Sequence, residues 1–173
     1  INFNVGCPSP RVCSGNFGAS LMKDPAKVAK CIESLKNSCN IPVTIKHRIG
    51  VDDDDSFDTL NNFVRYIANA GADRFTVHAR KAILKGLNPK QNRTIPPLKY
   101  DVVKKLKKIN PELLIEINGG FTNIDESLKA LNDFDGVMIG RSVYKHPMSG
   151  LKLIRKFMET IQKPNVLQIL SFH

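Results

Sequence analysis

Apolar and polar residues follow two alternating patterns along this chain. Short apolar runs, typical of buried strands, alternate with longer segments in which apolar residues recur every three or four positions, as on one helix face. The runs predict five strands, at residues 1–4, 42–46, 74–78, 113–117 and 136–139. The longer segments predict helices at residues 24–37, 57–70, 100–109, 125–131 and 150–161. The apolar stretch 166–172 fits neither pattern clearly.

The repeated strand-helix order predicts a parallel sheet. No GxGxxG motif follows the first strand, so the sequence gives no support for a dinucleotide-binding Rossmann fold. The even spacing of the units instead favours a TIM (β/α)8 barrel. Five strands do not close such a barrel. We therefore expect an α/β fold consisting of about the last five βα units of a partial barrel, with the N-terminal strands missing. Residues 1–147 are assigned to this barrel part, and residues 148–173 to the last barrel helix and a poorly matching tail.

The composition adds a hypothesis about partners. The chain of 173 residues has 26 Lys and Arg against 16 Asp and Glu, a net charge of +10. This excess favours a polyanion such as nucleic acid, although lysines that only solvate helices explain it as well. The four cysteines form no CxxC pair and have no His at metal-ligand spacing, so we expect no metal site and a reducing cytoplasm. No apolar run is long enough to span a membrane.

Each predicted strand ends near residues with useful chemistry. In a barrel these strand ends meet at one rim, where active sites lie. The candidates, in chain order, are Asn4 and Cys7, Lys46 and Arg48, His78 and Arg80, Asn118 with Gly119 and Gly120, and Gly140 with Arg141.

The candidate chemistry at these positions has ordinary structural alternatives. Cys7, between a Gly and a Pro, either presents a thiol on a stiff turn or is a small buried side chain. Lys46 either holds a negatively charged ring edge, such as that of a reduced flavin, or is an exposed lysine. His78, taken alone, suits a core histidine.

The glycines after the last two strands have two interpretations as well. Exposed backbone amides at Gly119 and Gly120, together with Gly140 and Arg141, suit a phosphate group. A tight turn is the alternative for residues 118–120. The acidic run 52–55 lacks the Gly and the distal Glu of a calcium loop, so it predicts a solvated loop.

Seven stretches together identify a family. They are NVGCPS at 4–9, FGA at 17–19, PVTIKHRIG at 42–50, VHARKA at 77–82, NRTIPPL at 92–98, INGG at 117–120 and DGVMIGR at 135–141. In this order, over about residues 1–147, the chain resembles the tRNA-dihydrouridine synthases, most of all their bacterial A-type branch.

The resemblance implies an FMN enzyme that reduces uridine to 5,6-dihydrouridine in tRNA with NADPH. It implies that the flavin N5 gives a hydride to C6 of the uracil and that Cys7 gives a proton to C5. FMN would be bound by Lys46, His78, Asn118, Gly119, Gly120, Gly140 and Arg141. The tRNA, through its D-loop uridines, would be bound by Asn4, Arg48, Arg80, Lys81, Asn92 and Arg93.

The resemblance also implies a cytoplasmic monomer without membrane contact. The strands that carry the first part of the flavin site and the helical tRNA-binding domain are expected to be absent from this chain. Two alternatives therefore stay open. One is a tRNA-binding remnant without catalysis, and the other is a flavin barrel acting on free pyrimidines or dihydroorotate. Residues 92–98 and the charge of +10 count against the latter.

Overall fold

Six parallel strands form one sheet in the computed structural model, which describes residues 1–160 and 166–169. The strands are β1 (Asn2–Asn4), β2 (Thr44–Arg48), β3 (Arg74–His78), β4 (Ile115–Asn118), β5 (Gly136–Ile139) and β6 (Val166–Ile169). Their spatial order is the chain order, β1-β2-β3-β4-β5-β6, and every neighbouring pair is parallel. The predicted α/β class and the five predicted strands are confirmed. The sixth strand lies in the apolar stretch that the sequence left unassigned.

Helices connect successive strands along the chain. These are α1 (Pro10–Cys13), α2 (Pro25–Ser38), α3 (Phe57–Asn69), α4 (Tyr100–Ile109), α5 (Ile124–Ala130), α6 (Arg141–Lys145) and α7 (Pro147–Thr160). Two 3₁₀ helices span Gly18–Lys23 and Gln91–Arg93. The five predicted helices are α2, α3, α4, α5 and α7, and the predicted end of the last one at residue 161 lies outside the described residues. The short α1 and α6 carry too few residues for a helical period to be recognised in the sequence.

Side-chain caps set the starts of three helices. The carboxylate of Asp24 accepts a hydrogen bond from the Lys27 amide at 3.0 Å, at the start of α2. The hydroxyl of Ser56 accepts one from the Thr59 amide at 3.1 Å, at the start of α3. The side chain of Asn123 accepts one from the Glu126 amide at 2.9 Å, at the start of α5. Because these caps satisfy amides that have no partner within the helix, they place the helix starts close to the predicted positions.

The two faces of the sheet differ in chemistry. Ile45, Phe75 and Ile117 are fully buried on one face and belong to the same core cluster as Phe63 and Ile67 of α3. Successive residues of a strand point to opposite faces, so the residues between them line the other face. That second face is polar, and it continues to the C-terminal edge of the sheet.

A buried ion pair belongs to the polar face. Glu116 of β4 is 1% exposed, and it accepts hydrogen bonds from Arg74 at 2.9 Å and from the Thr76 hydroxyl at 2.8 Å. Burial raises the pKa of Glu116, and the two donors partly oppose this rise. The sequence alone does not point to Glu116, because a lone Glu in an apolar run gives no sign of its partners on another strand.

None of the helices in the described part of the chain is both long enough and apolar enough to cross a membrane.

Candidate active site

The strand ends bring the predicted residues to one edge of the sheet. Asn4 is in register with Lys46, at the ends of β1 and β2. Arg48 is in register with His78, and His78 with Asn118, at the ends of β2, β3 and β4. Residues far apart in the sequence are therefore neighbours here, as expected for the carboxyl ends of parallel strands.

Cys7 lies on a turn that hydrogen bonds hold in place on both sides of the residue. The Asn4 side-chain oxygen accepts a hydrogen bond from the Gly6 amide at 3.0 Å, and the Cys7 carbonyl accepts one from the Ala19 amide at 2.8 Å. Gly18 has φ +62°, and a Cβ there would lie 2.5 Å from the Cys7 carbonyl oxygen. The turn therefore requires glycine at that position. Cys7 itself is half-buried.

Lys46 is a cation close to this thiol. Burial, followed by the charge of Arg48, lowers the pKa of Lys46 to about 8, while a charged Cys7 would raise it. Lys46 is partly exposed, and it has no carboxylate partner among the described residues. Because a pKa of about 8 leaves the amine mostly protonated at neutral pH, the site holds a positive charge that a ligand can neutralise.

Arg48 is 2% exposed and joins three loops. Its guanidinium donates hydrogen bonds to the carbonyls of Gly6 at 3.0 Å, Lys81 at 3.0 Å and Asn92 at 2.9 Å. Burial lowers the pKa of Arg48 to about 10. Two of its nitrogen atoms are thus bonded to backbone, which ties the Cys7 turn to the segment after β3.

Two neighbouring histidines lie in different surroundings. His47 is fully buried between the rings of Phe63 and Phe75, with centroids 5.3 Å and 6.1 Å away, and burial lowers its pKa to about 4. His78 lies at the polar edge, and burial together with nearby cations, Arg48 first, lowers its pKa to about 2. His78 is therefore a neutral imidazole, suited to hydrogen bonding rather than to pairing with an anion.

The glycine turn after β4 packs directly against His78. Gly119 and Gly120 have φ of +114° and +84°, and a Cβ at Gly119 would lie 2.9 Å from the His78 ring and from Leu98. The side-chain nitrogen of Asn118 donates a hydrogen bond to the Met138 carbonyl at 2.8 Å, which holds the ends of β4 and β5 together. The hydroxyl of Tyr100, a residue to which no sequence motif points, donates a hydrogen bond to the Gly119 carbonyl.

Gly140 and Arg141 follow β5 on the same edge. Gly140 precedes α6, and Arg141 is its exposed first residue. Burial is the main cause of the lowered pKa of His78 and of Arg80, and the charge of Arg141 lowers both pKa values further. The sequence prediction that the ends of β4 and β5 lie together agrees with this geometry.

The segment 79–98 separates the remaining predicted residues into two sets. Lys81 and Asn92 hold the segment in place. Lys81 donates to the Asp52 carbonyl at 2.9 Å and pairs with Asp55 at 3.1 Å. Asn92 is fully buried. Its side-chain oxygen accepts a hydrogen bond from the Ile83 amide at 2.7 Å, and its side-chain nitrogen donates one to the Ile83 carbonyl at 2.8 Å. Their side chains are thus occupied within the protein.

Arg80 and Arg93 form the other set. Arg80 donates to the carbonyls of Thr94 and Pro96 and has no carboxylate partner in the described part of the chain. Arg93 Nε is buried without a hydrogen-bond partner, again among the described residues. Burial is the main cause of the lowered pKa of Arg48, and the charges of Arg80 and Arg93 lower it further. The three guanidinium groups therefore lie in one region.

We name two regions from these contacts. The cation rim consists of Lys46, Arg48, Arg80, Arg93 and Arg141, which share no ion pair with any described carboxylate. The clasp consists of Lys23, Asp52, Asp55, Lys81 and Lys99, which pair with one another. The sequence predicted a solvated loop at 52–55, but the structure shows that two of its four aspartates are paired.

Comparisons with known proteins find relatives that match most of this chain. A family model described as "Dihydrouridine synthase (Dus)" matches residues 1–172. A protein named tRNA-dihydrouridine(20/20a) synthase from Synechocystis sp. is 58% identical over 147 residues, which are 85% of this chain and 44% of that protein. A protein of the same name from Shewanella oneidensis is 50% identical over 147 residues, with the same shares. The chain thus spans less than half the length of these relatives.

A solved structure is similar in fold alone. A phosphoenolpyruvate phosphomutase from Streptomyces platensis subsp. rosaceus has a TM-score of 0.59 and 16% identity, over 98% of this chain and 67% of that one.

Proposed function

This chain belongs to the dihydrouridine synthase family, and we propose that it forms the catalytic part of an enzyme that reduces uridine to 5,6-dihydrouridine in tRNA. The observation that carries the proposal is the position of Cys7. Its half-buried thiol lies on a fixed turn beside Lys46, a cation with no carboxylate partner among the described residues. A proton donor beside a positive charge suits a reduction in which an anionic, reduced cofactor meets a nucleobase.

The residues at this edge fit FMN. Gly119 and Gly120 have left-handed backbone and no side chain, and Arg141 adds a positive charge beside the turn. We assign the flavin phosphate and ribityl chain to Asn118, Gly119, Gly120, Gly140 and Arg141, and its ring to Lys46 and His78. Bound FMN, reduced by NADPH, would supply a hydride from N5 to C6 of the uracil.

The chain's own residues would complete the reduction. Cys7 gives its proton to C5 of the uracil, so that one hydride and one proton saturate the C5–C6 bond. Asn4 uses its side-chain oxygen for the Gly6 amide, which leaves its amide nitrogen for a uracil oxygen. The neutral imidazole of His78 adds no further positive charge beside the cofactor.

The cation rim suits the RNA backbone. Arg80 and Arg93 carry charges that no described carboxylate balances, and arginine binds phosphate through paired hydrogen bonds. Arg48, which is 2% exposed, would act by holding the loops that carry these residues. The target base must leave its stack to reach Cys7, which favours a base in an unpaired loop of tRNA, such as a D-loop uridine. Lys81 and Asn92, predicted as substrate-side residues, would act by holding the segment that carries Arg80 and Arg93.

The sheet itself would be part of a (β/α)8 barrel. Its strand order follows the chain without reversal, whereas doubly wound sheets reverse direction at a switch point. At the free edge of β1, an open groove is lined by Ile1 and Phe3 together with Cys31 and Leu35 of α2. Further strand-helix units pairing with this edge would cover that apolar surface.

The test combines a spectrum with a product assay. The full-length protein should carry a bound flavin, and with NADPH and unmodified tRNA it should produce dihydrouridine, detected by mass spectrometry. Cys7→Ala should lower turnover by about 10²–10⁴-fold with the flavin retained, because a general acid contributes that much. Cys31→Ser, on α2, is the matched control and should remain active. Full activity of Cys7→Ala would exclude Cys7 as the acid.

A second candidate is an RNA-binding function without catalysis. The cation rim favours it, since arginines without carboxylate partners bind RNA whether or not chemistry follows. Salt-sensitive tRNA binding by a protein that retains no flavin would support this alternative over the enzyme.

A further inference from the structure

Phe17 is a large aromatic side chain exposed at the active-site edge. It is 62% exposed and lies between α1 and the 3₁₀ helix Gly18–Lys23, in the loop that follows β1 and carries Cys7. The next residue, Gly18, packs on the catalytic turn, since a Cβ there would lie 3.2 Å from the Cys7 Cβ. The Phe17 backbone is therefore one residue away from the contact with Cys7.

The backbone of Phe17 is held rigidly. Its amide donates to the Val12 carbonyl at 3.2 Å, and its carbonyl accepts from the Ser20 hydroxyl at 2.7 Å. On one side its ring lies against Gly15, where a Cβ would be 3.0 Å from a ring carbon. An aromatic ring on a fixed backbone loses little conformational freedom when a flat partner binds it.

The surroundings indicate what kind of partner this is. The cation rim at the same edge attracts a polyanion. Proteins that bind single-stranded nucleic acid combine such cations with exposed aromatic rings on which bases stack. Cations alone would also attract an acidic protein surface. The exposed ring of Phe17 beside them favours nucleic acid, whose unpaired bases stack on aromatic rings.

We propose that Phe17 stacks on an unpaired base of the RNA, next to the base that reaches Cys7. This proposal rests on the proposed function, because it assumes an RNA substrate. It assigns Phe17 to substrate binding, so the residue acts on affinity and on the choice of base rather than on the proton transfer.

The chain contains no tryptophan, which permits a direct test. Phe17→Trp introduces one tryptophan as the fluorophore, and stacking on a base should quench its emission when unmodified tRNA is added. Tyr66→Trp is the matched control, since Tyr66 is 51% exposed on helix α3, outside the loop that carries Cys7, and should keep its emission. Binding is followed independently by the anisotropy of end-labelled tRNA. Inorganic polyphosphate serves as a polyanion without bases and should not quench.

A second pair of variants measures affinity. Phe17→Ala should weaken tRNA binding about tenfold, as expected for the loss of one stacked base, while Phe17→Tyr should bind normally. The dependence of affinity on salt should stay unchanged in Phe17→Ala, because no phosphate contact is lost.

The outcomes separate the two levels of the proposal. If the Phe17→Trp variant binds tRNA without a loss of emission, or if polyphosphate quenches it equally, the stacking proposal is overturned and the RNA substrate remains intact. Absence of tRNA binding by the unmodified protein and both tryptophan variants would overturn the proposed function, and the stacking proposal with it.

Discussion

The clasp and the cation rim both contain basic residues, but only the clasp pairs them with carboxylates. In the clasp, Asp52 accepts the Lys23 amine at 2.8 Å, and Asp55 pairs with Lys81 at 3.1 Å. In the rim, Arg93 and Lys46 face no described carboxylate. Both regions meet in the segment 79–98, in which Lys81 belongs to the clasp and Arg80 belongs to the rim.

The difference separates structural charges from charges available to a ligand. A paired charge at the surface adds little stability but fixes the positions of the loops that it joins. Unpaired cations that are partly buried raise the energy of the free protein, and an anion relieves that cost on binding. Neighbouring basic residues in one motif, such as Arg80 and Lys81, therefore have separate roles that their residue types do not reveal.

The largest expected effect concerns the buried residue that holds this segment. Asn92→Ala removes hydrogen bonds to the Ile83 amide and carbonyl, and leaves these backbone groups without a side-chain partner. We expect the free energy of unfolding to fall by about 3 kcal/mol, measured by urea denaturation. Asn62→Ala, on the exposed face of α3, is the control and should cost less than about 1 kcal/mol. Equal losses in both variants would contradict the role assigned to Asn92.

The next effect separates the two regions directly. Arg93→Gln should weaken tRNA binding several-fold and reduce the slope of log K against log salt by about 1, with little change in stability. Lys81→Gln should leave that slope unchanged and lower the free energy of unfolding by under about 1 kcal/mol. Both variants remove one positive charge, so they are matched. If Lys81→Gln lowered the slope as much as Arg93→Gln, the division between clasp and rim would be wrong.

The smallest effect is the pH dependence of the clasp. Burial raises the pKa of Asp52, but hydrogen bonds from Lys23 and the Leu84 amide outweigh it, and the net pKa is lowered. A lowered carboxyl pKa contributes stability above the unfolded value near 4, and this contribution disappears as the pH falls through the folded value.

Asp52→Asn should therefore lose part of this acid-sensitive stability, by under about 1 kcal/mol, and speed hydrogen exchange of the Leu84 amide above pH 5. Asp53→Asn removes the same charge from an exposed residue and should match the parent protein. Faster exchange in Asp53→Asn alone would argue against a clasp at Asp52.

The sequence predicted the elements well because each depends on local residues. Apolar periodicity and caps such as Asp24 and Ser56 act within a few residues, so α2 and α3 were found close to their observed positions. The extent of β2 was predicted less well. The sequence ended it at Lys46, whereas pairing with β3 continues to Arg48. Strand length depends on the partner strand, which the local pattern does not contain.

The residue types at the candidate site were also visible in the sequence, whereas their roles were not. The motif around Cys7, the glycines after β4 and the basic residues of segment 79–98 follow from the chain itself and identify the family. Only the folded protein decides that Asn92 is buried and that Glu116 is paired. It also decides which arginines of the rim have no carboxylate partner among the described residues. Such roles depend on contacts between residues that are distant in the chain, and the order of residue types alone does not specify those contacts.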